Sequence, residues 1–550
     1  MNHSFLDFNQ IIMFIIPFVE YAIVFGFVTG FFGFFCASMH QKRHDILEWI
    51  FLTLSGFGLV SVIGWFLLFS FTQFDSYSPL FLFVAGAGSG FILAVFGERK
   101  YLDRIEKGLH SITKKSEMER DKKTDIRKMP KMESGFDYDP EKYFKKDSWF
   151  LGLDSGVPVY YEEKTLPHVE VCGMTGCGKG VVLGVLASQC IQKKEGLFIL
   201  DPKNDEWFPH VASEASKKSG VKYQFVDLNS DEYQFNLFED ASKGEIEELL
   251  LAGFELGDKG EASDFYKIGD RKMAKFISEQ YKTGDTAESL YSEHAAFLGK
   301  QAEAFEGKFR ELAEVTAINA KSGLSLKEVI KEGGVVYVVG SMRNVKITRI
   351  QKMLLVRIIQ IAEKRDRIAG GLRQVCVILD ELKYHISRTA LEALGASRDK
   401  GLHMIMAHQS IADLRDCPKD LEPQAVVGAV LENTKIKMVY RVEMPETAEI
   451  FAKKSGRILV DEDTRFIERS LSLADHMKPD KHVRQTERFL VDENMFLSLP
   501  KGCCVVFGAG ETRKIYTSPC VVEKKSEAVE VKINTAGYER NNDVDFDKLG

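Results

Sequence analysis

Residues 173–180, Gly-Met-Thr-Gly-Cys-Gly-Lys-Gly, constrain the fold more than any other stretch of the chain. Gly173, Gly178 and Lys179 stand at the spacing of a phosphate-binding loop, G-x-x-x-x-G-K-[ST]. The run His168-Val169-Glu170-Val171-Cys172 before it alternates as a strand does, and Val181 to Gln192 after it carries apolar residues at helical spacing. Strand, glycine loop and helix are the setting this motif needs. In it the backbone of Gly173, Met174, Thr175, Gly176, Cys177 and Gly178 curls around phosphate, and the helix N-terminus adds partial positive charge. Lys179 then reaches the outer phosphates. Without the lysine, such a glycine-rich turn reads as a structural loop. Gly180 stands where the motif has the Ser or Thr hydroxyl that holds Mg²⁺. The expected cofactors are ATP and Mg²⁺.

With 550 residues the chain has room for several domains, and its net charge of −7 excludes a global nucleic-acid polycation. The nine cysteines include no C-x-x-C pair and no zinc-ligand spacing with histidine, so reduced thiols are expected. H-E-x-x-H and G-x-S-x-G are both absent from the sequence, which argues against metalloprotease and esterase chemistry.

The first 97 residues read as a membrane region. Apolar runs at 11–37, 49–71 and 80–96 each approach the length of a spanning helix, and the first is broken only by Glu20. Residues 1–10 carry no Lys or Arg, unlike the start of a signal peptide. The basic connection Gln41-Lys42-Arg43-His44 and the basic stretch from Arg99 predict three spans of a bacterial cytoplasmic membrane, with the N-terminus outside and everything after residue 97 inside. Gly26-x-x-x-Gly30 and Gly86-x-x-x-Gly90 put small residues on one helix face, which permits close helix contact. Glu20 reads equally as a functional intramembrane carboxylate or as an interfacial one. Residues 99–132 hold twelve Lys or Arg against six Asp or Glu, a composition that suits anionic lipid head groups better than nucleic acid. Residues 98–145 are expected to link the membrane region to the remainder.

Residues 146–522 read as one α/β domain. Gly196 to Asp201 and Val375 to Leu379 are continuous apolar runs, as buried parallel strands are. The second ends in Asp380-Glu381 at a strand's C-terminal edge, where open α/β sheets bind ligands. Asp380 suits Mg²⁺ held through water, and Glu381 suits orienting or deprotonating a water; an isolated pair of this kind is otherwise a solvated strand end. Between about 241 and 330 the periodicity is helical, predicting an all-α subdomain inserted into the sheet domain. The strand at 403–407 ends in His408-Gln409, and Gln409 is the candidate sensor of a terminal phosphate. Arg398 reads either as a surface arginine or as a finger reaching a neighbouring subunit's nucleotide. Residues 523–550 are polar and expected to be disordered.

Taken in sequence, Phe150-Leu151-Gly152, Gly156 to Tyr160, His168-Val169, Gly173 to Lys179, Asp201-Pro202-Lys203, Asn236-Leu237, Asp380-Glu381, Ser397 to Gly401 and Gln409 resemble the type IV secretion coupling proteins of the TraD/TraG type. The resemblance covers most of 149–522. It implies a RecA-like ATPase, a homohexamer beneath the inner membrane, that delivers relaxase-bound single-stranded DNA or effector proteins to a type IV secretion channel. It also implies nucleotide-site roles for Lys179, Asp380, Glu381 and Gln409, with Arg398 corresponding to the family's arginine. Gly180 departs from the family's pattern, which bears on Mg²⁺ affinity or hydrolysis rate. An FtsK-like translocase and a scaffold that binds nucleotide with weak hydrolysis are the competing readings.

Overall fold

A computed structural model describes residues 24, 26–33, 83–84, 86–92, 137–260, 262–366, 372–469 and 475–522. The chain forms two compact units, Met1–Glu119 and Arg120–Gly550. The spans expected at 11–37, 49–71 and 80–96 lie outside the described residues except for short pieces of the first and third. Among the described residues no helix is long and apolar enough to cross a membrane. The tail 523–550 and residues 98–136 also lie outside them.

In the first unit, residues 26–33 and 86–92 are helical, and they touch where their glycines lie. A Cβ on Gly26 would collide with the carbonyl of Phe83, one on Gly30 with that of Ala87, and one on Gly90 with that of Phe27. The small-residue faces therefore let backbone meet backbone, as the glycine spacing predicts.

The second unit is mixed α/β, built on an eleven-stranded sheet. β1 (Trp149–Asp154) and β2 (Val157–Tyr161) form a hairpin whose two turn residues, Ser155 and Gly156, have φ of 51° and 82°. This matches the mirror-image turn that suits strand twist. Next come β3 (Val169–Cys172), α1 (Lys179–Gln192), β4 (Gly196–Asp201), α2 (Phe208–Ser219) and β5 (Tyr223–Asp227). The long segment before the next strand is helical: α3 (Lys243–Phe254), α4 (Lys267–Gln280), α5 (Ala287–Gln301), α6 (Glu303–Ala313) and α7 (Leu326–Glu332). β6 (Gly334–Val339), α8 (Val345–Glu363), β7 (Val375–Leu379), α9 (Arg388–Ala396) and β8 (Leu402–His408) follow. The chain then adds α10 (Ile411–Arg415), α11 (Pro423–Asn433), β9 (Ile436–Val439) and α12 (Pro445–Lys454). A separate two-stranded ribbon, β10 (Arg457–Arg469) with β11 (Asp475–Phe489), precedes α13 (Glu493–Ser498), β12 (Cys503–Phe507) and β13 (Arg513–Tyr516).

Strands β9, β3, β8, β7, β4, β6 and β5 are neighbours in that order and parallel throughout. β12, β13, β1 and β2 continue the sheet antiparallel. β4, β6 and β7 are buried on both faces, which is why their sequences read as apolar runs. Along β7, Val377 and Leu379 join the core beneath α8, while Cys376 and Ile378 join the core beneath α1 and α2. Residues 137–143, the end of the stretch expected to be a linker, pack on the sheet. The Tyr138 hydroxyl donates to the Tyr516 carbonyl at 2.9 Å, and Tyr143 stacks on Phe150 with ring centres 5.1 Å apart.

Because the glycine faces of the first unit leave no room for a side chain, Gly30→Leu should cost about 1–3 kcal/mol of packing energy. Thermal melting of the full-length chain in detergent reads this as a lower midpoint. An unchanged midpoint would mean that the two helical pieces do not meet along these glycines.

Candidate nucleotide site

The phosphate-loop sequence lies between β3 and α1 and is braced from two sides. The Gly173 N–H donates to the His408 carbonyl at 3.2 Å, and the Met174 N–H to the Arg441 carbonyl at 2.8 Å. A Cβ on Gly173 would sit 2.7 Å from Tyr440 Cβ and 2.9 Å from Cys177 Sγ, so glycine there is a matter of space. Gly178 caps α1 with φ of 122°, a conformation closed to ordinary side chains. Lys179 is buried, and its ammonium donates to the Gly173 and Met174 carbonyls of its own loop. Thr175 and Gly180 are exposed, and a Cβ on Gly180 would meet nothing within 4 Å.

The neighbouring strand β4 contributes by its turn. Asp201 is 1% exposed, and its carboxylate accepts from the backbone N–H groups of Lys203 (2.8 Å), Asn204 (3.1 Å) and Asp205 (2.7 Å) and from the Tyr337 hydroxyl (2.6 Å). Its carboxylate is thus taken up by the turn and by Tyr337. The turn projects Lys203 onto β7's end, where its ammonium lies 3.5 Å from Asp380 Oδ2 and pairs closely with Glu381 Oε1.

Asp380 and Glu381 are not a solvated strand end: Glu381 is 2% exposed and the Asp380 side chain 15%. Burial raises the Asp380 carboxyl to about 6, against the pull of Lys203. Burial pushes Glu381 the same way, but the Lys203 ammonium and the Gln409 amide outweigh it and hold it below the usual carboxylate range. Gln409 Nε2 donates to Glu381 Oε1 at 2.9 Å, while Glu381 Oε2 is buried with no hydrogen-bond partner. Glu381 also takes a left-handed φ of 57°, a costly backbone for a residue with a side chain and one that bends the chain sharply off β7.

Lys179, Asp380, Glu381 and Gln409 therefore gather at the C-terminal edge of β3, β7 and β8, with the Lys179 charge felt by both carboxyls. Arg398 is not among them. It lies just before β8, at the other end of that strand, half exposed and 3.7 Å from Glu163. Lys203 is the member that sequence reasoning passed over. Its signal was the Asp-Pro-Lys triplet closing a buried strand next to the strand that ends in two carboxylates. The residues fit a polyphosphate with a divalent cation: a glycine cradle, a buried lysine, two carboxylates and an unsatisfied carboxylate oxygen. The hydroxyl that usually completes the cation's shell is missing at Gly180.

Removing the Lys203 ammonium by Lys203→Met leaves Glu381 buried without a cation. Stability at neutral pH should fall by about 2–3 kcal/mol, less than for a fully buried pair because Lys203 is partly solvated. Glu381's folded pKa is depressed, so the pair's contribution is present above the ordinary carboxylate pKa and vanishes as pH falls through the lower folded value. Urea unfolding of both proteins should thus show a gap at pH 7 that closes in acid. A gap that is constant with pH would show that Lys203 acts through packing alone.

Comparison with known proteins places these features in a family setting. Residues 374–501 match the family described as the TraM recognition site of TraD and TraG. The chain is 30% identical over 331 residues to Mobilization protein A of Escherichia coli, an alignment that covers 58% of this chain and 60% of that relative. In structure it is similar to the bacterial conjugative coupling protein TrwBdeltaN70, with a TM-score of 0.53 at 15% identity over 72% of this chain and 95% of that one. The plasmid coupling protein TrwB in complex with ADP and Mg²⁺ gives a TM-score of 0.52 at 15% identity, over 72% and 94%. At that identity the likeness speaks for the mixed α/β fold with its large, mostly parallel sheet. Sequence match, relative and fold agree, and the resemblance read from the residues stands: this chain is similar to the type IV coupling proteins of the TraD/TraG type.

Proposed function

We propose that the chain is a membrane-anchored ATPase of the type IV coupling class, passing relaxase-bound single-stranded DNA to a type IV secretion channel at the bacterial inner membrane. The observation that carries the reading is the convergence of Lys179, Asp380, Glu381 and Gln409 on one edge of a parallel sheet. TrwB's complex with ADP and Mg²⁺, and the TraM-recognition match over 374–501, support it from outside.

The geometry supports the following roles. Gly173 and Met174 spend their N–H groups on bracing, which leaves the donors from Thr175 to Gly178 for phosphate oxygens. Lys179, whose ammonium donates to the Gly173 and Met174 carbonyls at the mouth of the loop, is placed to pair with the outer phosphates. When bound with ATP, Mg²⁺ would offset the charge on the phosphates. Asp380 is the residue to hold it, and its raised pKa matches a carboxyl that carries a proton or a cation in turn. Glu381, kept ionised by Lys203 and Gln409, orients or deprotonates the attacking water at its free oxygen. Gln409 touches both that carboxylate and, through β8, the phosphate loop, which suits it to report a terminal phosphate. Arg398 is remote from its own site and half exposed, so it is either a surface arginine or, in a homohexameric ring of RecA-like domains, a finger for a neighbour's site. Spans at 11–37, 49–71 and 80–96 would anchor that ring.

Lys179→Ala tests the reading. ATP hydrolysis by the purified full-length chain and transfer of a mobilisable plasmid between cells should both fall at least about 100-fold, as the outer phosphates lose their cation. Transfer at the unaltered rate would sink the motor assignment, and transfer of a protein effector alone would move the cargo from DNA to protein. Gly180→Thr adds the missing hydroxyl where there is open space, and should raise Mg²⁺-dependent turnover several-fold. Lower turnover would show that the loop depends on glycine there and that another group completes the cation's shell.

A further inference from the structure

At the N-terminal edge of the same strands, away from the nucleotide site, four side chains with metal-binding chemistry meet. Cys190 lies in the last turn of α1, Glu195 in the turn before β4, Cys376 is the second residue of β7 and His403 the second of β8. One ligand atom from each falls within 4.8 Å of all the others. We propose that Cys190, Glu195, Cys376 and His403 form a tetrahedral Zn²⁺ site that fastens the far end of the phosphate-loop helix to the sheet.

The placement is fixed by the fold. Cys376 and His403 are direct partners in the parallel β7–β8 ladder, on the sheet face that packs under α1. The Glu195 N–H donates to the Cys190 carbonyl at 3.1 Å, which clamps the helix end and the turn together. All four residues are buried, with exposures of 0% for Cys190 and Cys376, 1% for His403 and 4% for Glu195. The Trp149 ring stands edge-on to His403 with centres 6.1 Å apart, and the Lys193 ammonium lies 4.7 Å over that indole.

The chemistry favours zinc over a bare cluster. Zinc holds sulfur at about 2.3 Å and nitrogen or oxygen at about 2.0–2.2 Å, so its four ligand atoms stand roughly 3.3–3.8 Å apart. The ligand atoms, all within 4.8 Å of one another, already stand close to that spacing. Glu195 Oε2 and His403 Nε2, now 2.8 Å apart, would separate slightly, while His403 Nδ1 is buried with no hydrogen-bond partner. Without a cation, two thiols, a carboxylate and an imidazole share an apolar pocket with only each other, a poor use of buried polar groups. Two sulfur ligands select zinc against Mg²⁺ or Ca²⁺. Binding would release the protons carried by the ligand atoms of the thiols and the imidazole and leave a site near charge balance beside Lys193.

The test uses the full-length chain purified in reducing buffer without nucleotide. Elemental analysis should find one zinc per chain after dialysis. Replacement by Co²⁺ should give thiolate-to-cobalt charge-transfer bands with the intense visible bands of tetrahedral cobalt. Cys190→Ser and His403→Gln should each lower zinc affinity at least about tenfold, while Lys179→Ala keeps the metal. Should a variant fail to fold, the zinc content and cobalt spectrum of the unaltered chain still decide. Metal-free protein from zinc-supplemented cells with no cobalt–thiolate band overturns the proposal. So does a Cys190–Cys376 disulfide found by mass spectrometry in the protein as purified, or a cobalt spectrum lost on Asp380→Asn.

Discussion

Two carboxyls side by side at a buried strand end, answered by a single ammonium, set the terms for the rest of this fold. Asp380 and Glu381 leave β7 where water is scarce, and Lys203 from the end of β4 is the cation that makes their burial tolerable. That pairing requires β4 and β7 to be neighbours in register, which the parallel ladder from Gly196–Val375 to Leu200–Leu379 provides. It requires a turn that aims Lys203, which is why Asp201 spends its carboxylate on three successive backbone N–H groups. A buried ion pair adds little net stability, so the arrangement is better understood as holding one carboxyl's pKa down while the other's is raised. Such a pair of environments, pushed apart, is how a site separates the group that handles water from the group that handles a cation.

Charge is also managed one layer down. Glu170 of β3, His408 of β8 and Lys437 of β9 are buried in the sheet, with His408 Nε2 2.9 Å from Glu170 Oε1 and Lys437 Nζ 3.7 Å from Oε2. Burial opposes a charged imidazole, yet Cys172 and Glu170 beside it hold the His408 proton well above the usual histidine range. The His408 carbonyl in turn accepts from Gly173, the first residue of the phosphate loop, and Gln409 follows directly. The loop and Gln409 thus hang on one buried ionic cluster, whose specific geometry fixes β3 against β8.

How much of this was legible depended on whether the signal was local. The strand–loop–helix of 168–192, the buried runs at 196–201 and 375–379 and the carboxylates that end the second are contiguous, and the structure holds elements there. β5, the outer strand β13 and the ribbon β10–β11 went unread, since short or charge-rich strands carry weak periodicity and gain their stability from neighbours distant in sequence. Lys203 was visible as a residue but not as a partner, because its meaning lies in the β4–β7 adjacency, which skips residues 202–374 of the chain. The cysteines mislead in the same way. Cys190 and Cys376 show no ligand spacing along the chain, yet strand order brings them with Glu195 and His403 to one point. The membrane reading rests on residues outside those described, apart from the glycine contact between 26–33 and 86–92.

Helix α1 connects the two chemistries. Its first residue, Lys179, is at the nucleotide edge, and Cys190, near its last, is at the opposite edge, with both ends facing β7 and β8. An α-helix of 14 residues is about 20 Å long and stiff along its axis. Fixing its far end removes tilting of the helix as a way to dissipate what happens at the loop, so a change at Lys179 must instead be passed to the strands that end in Glu381 and Gln409. A cluster that gripped Cys190 loosely would let the helix rock and would uncouple the loop from those strands. The Cys–Glu–His–Cys arrangement is thus a mechanical complement to the ion pair at the other edge: one holds the helix, the other holds the groups it must act upon.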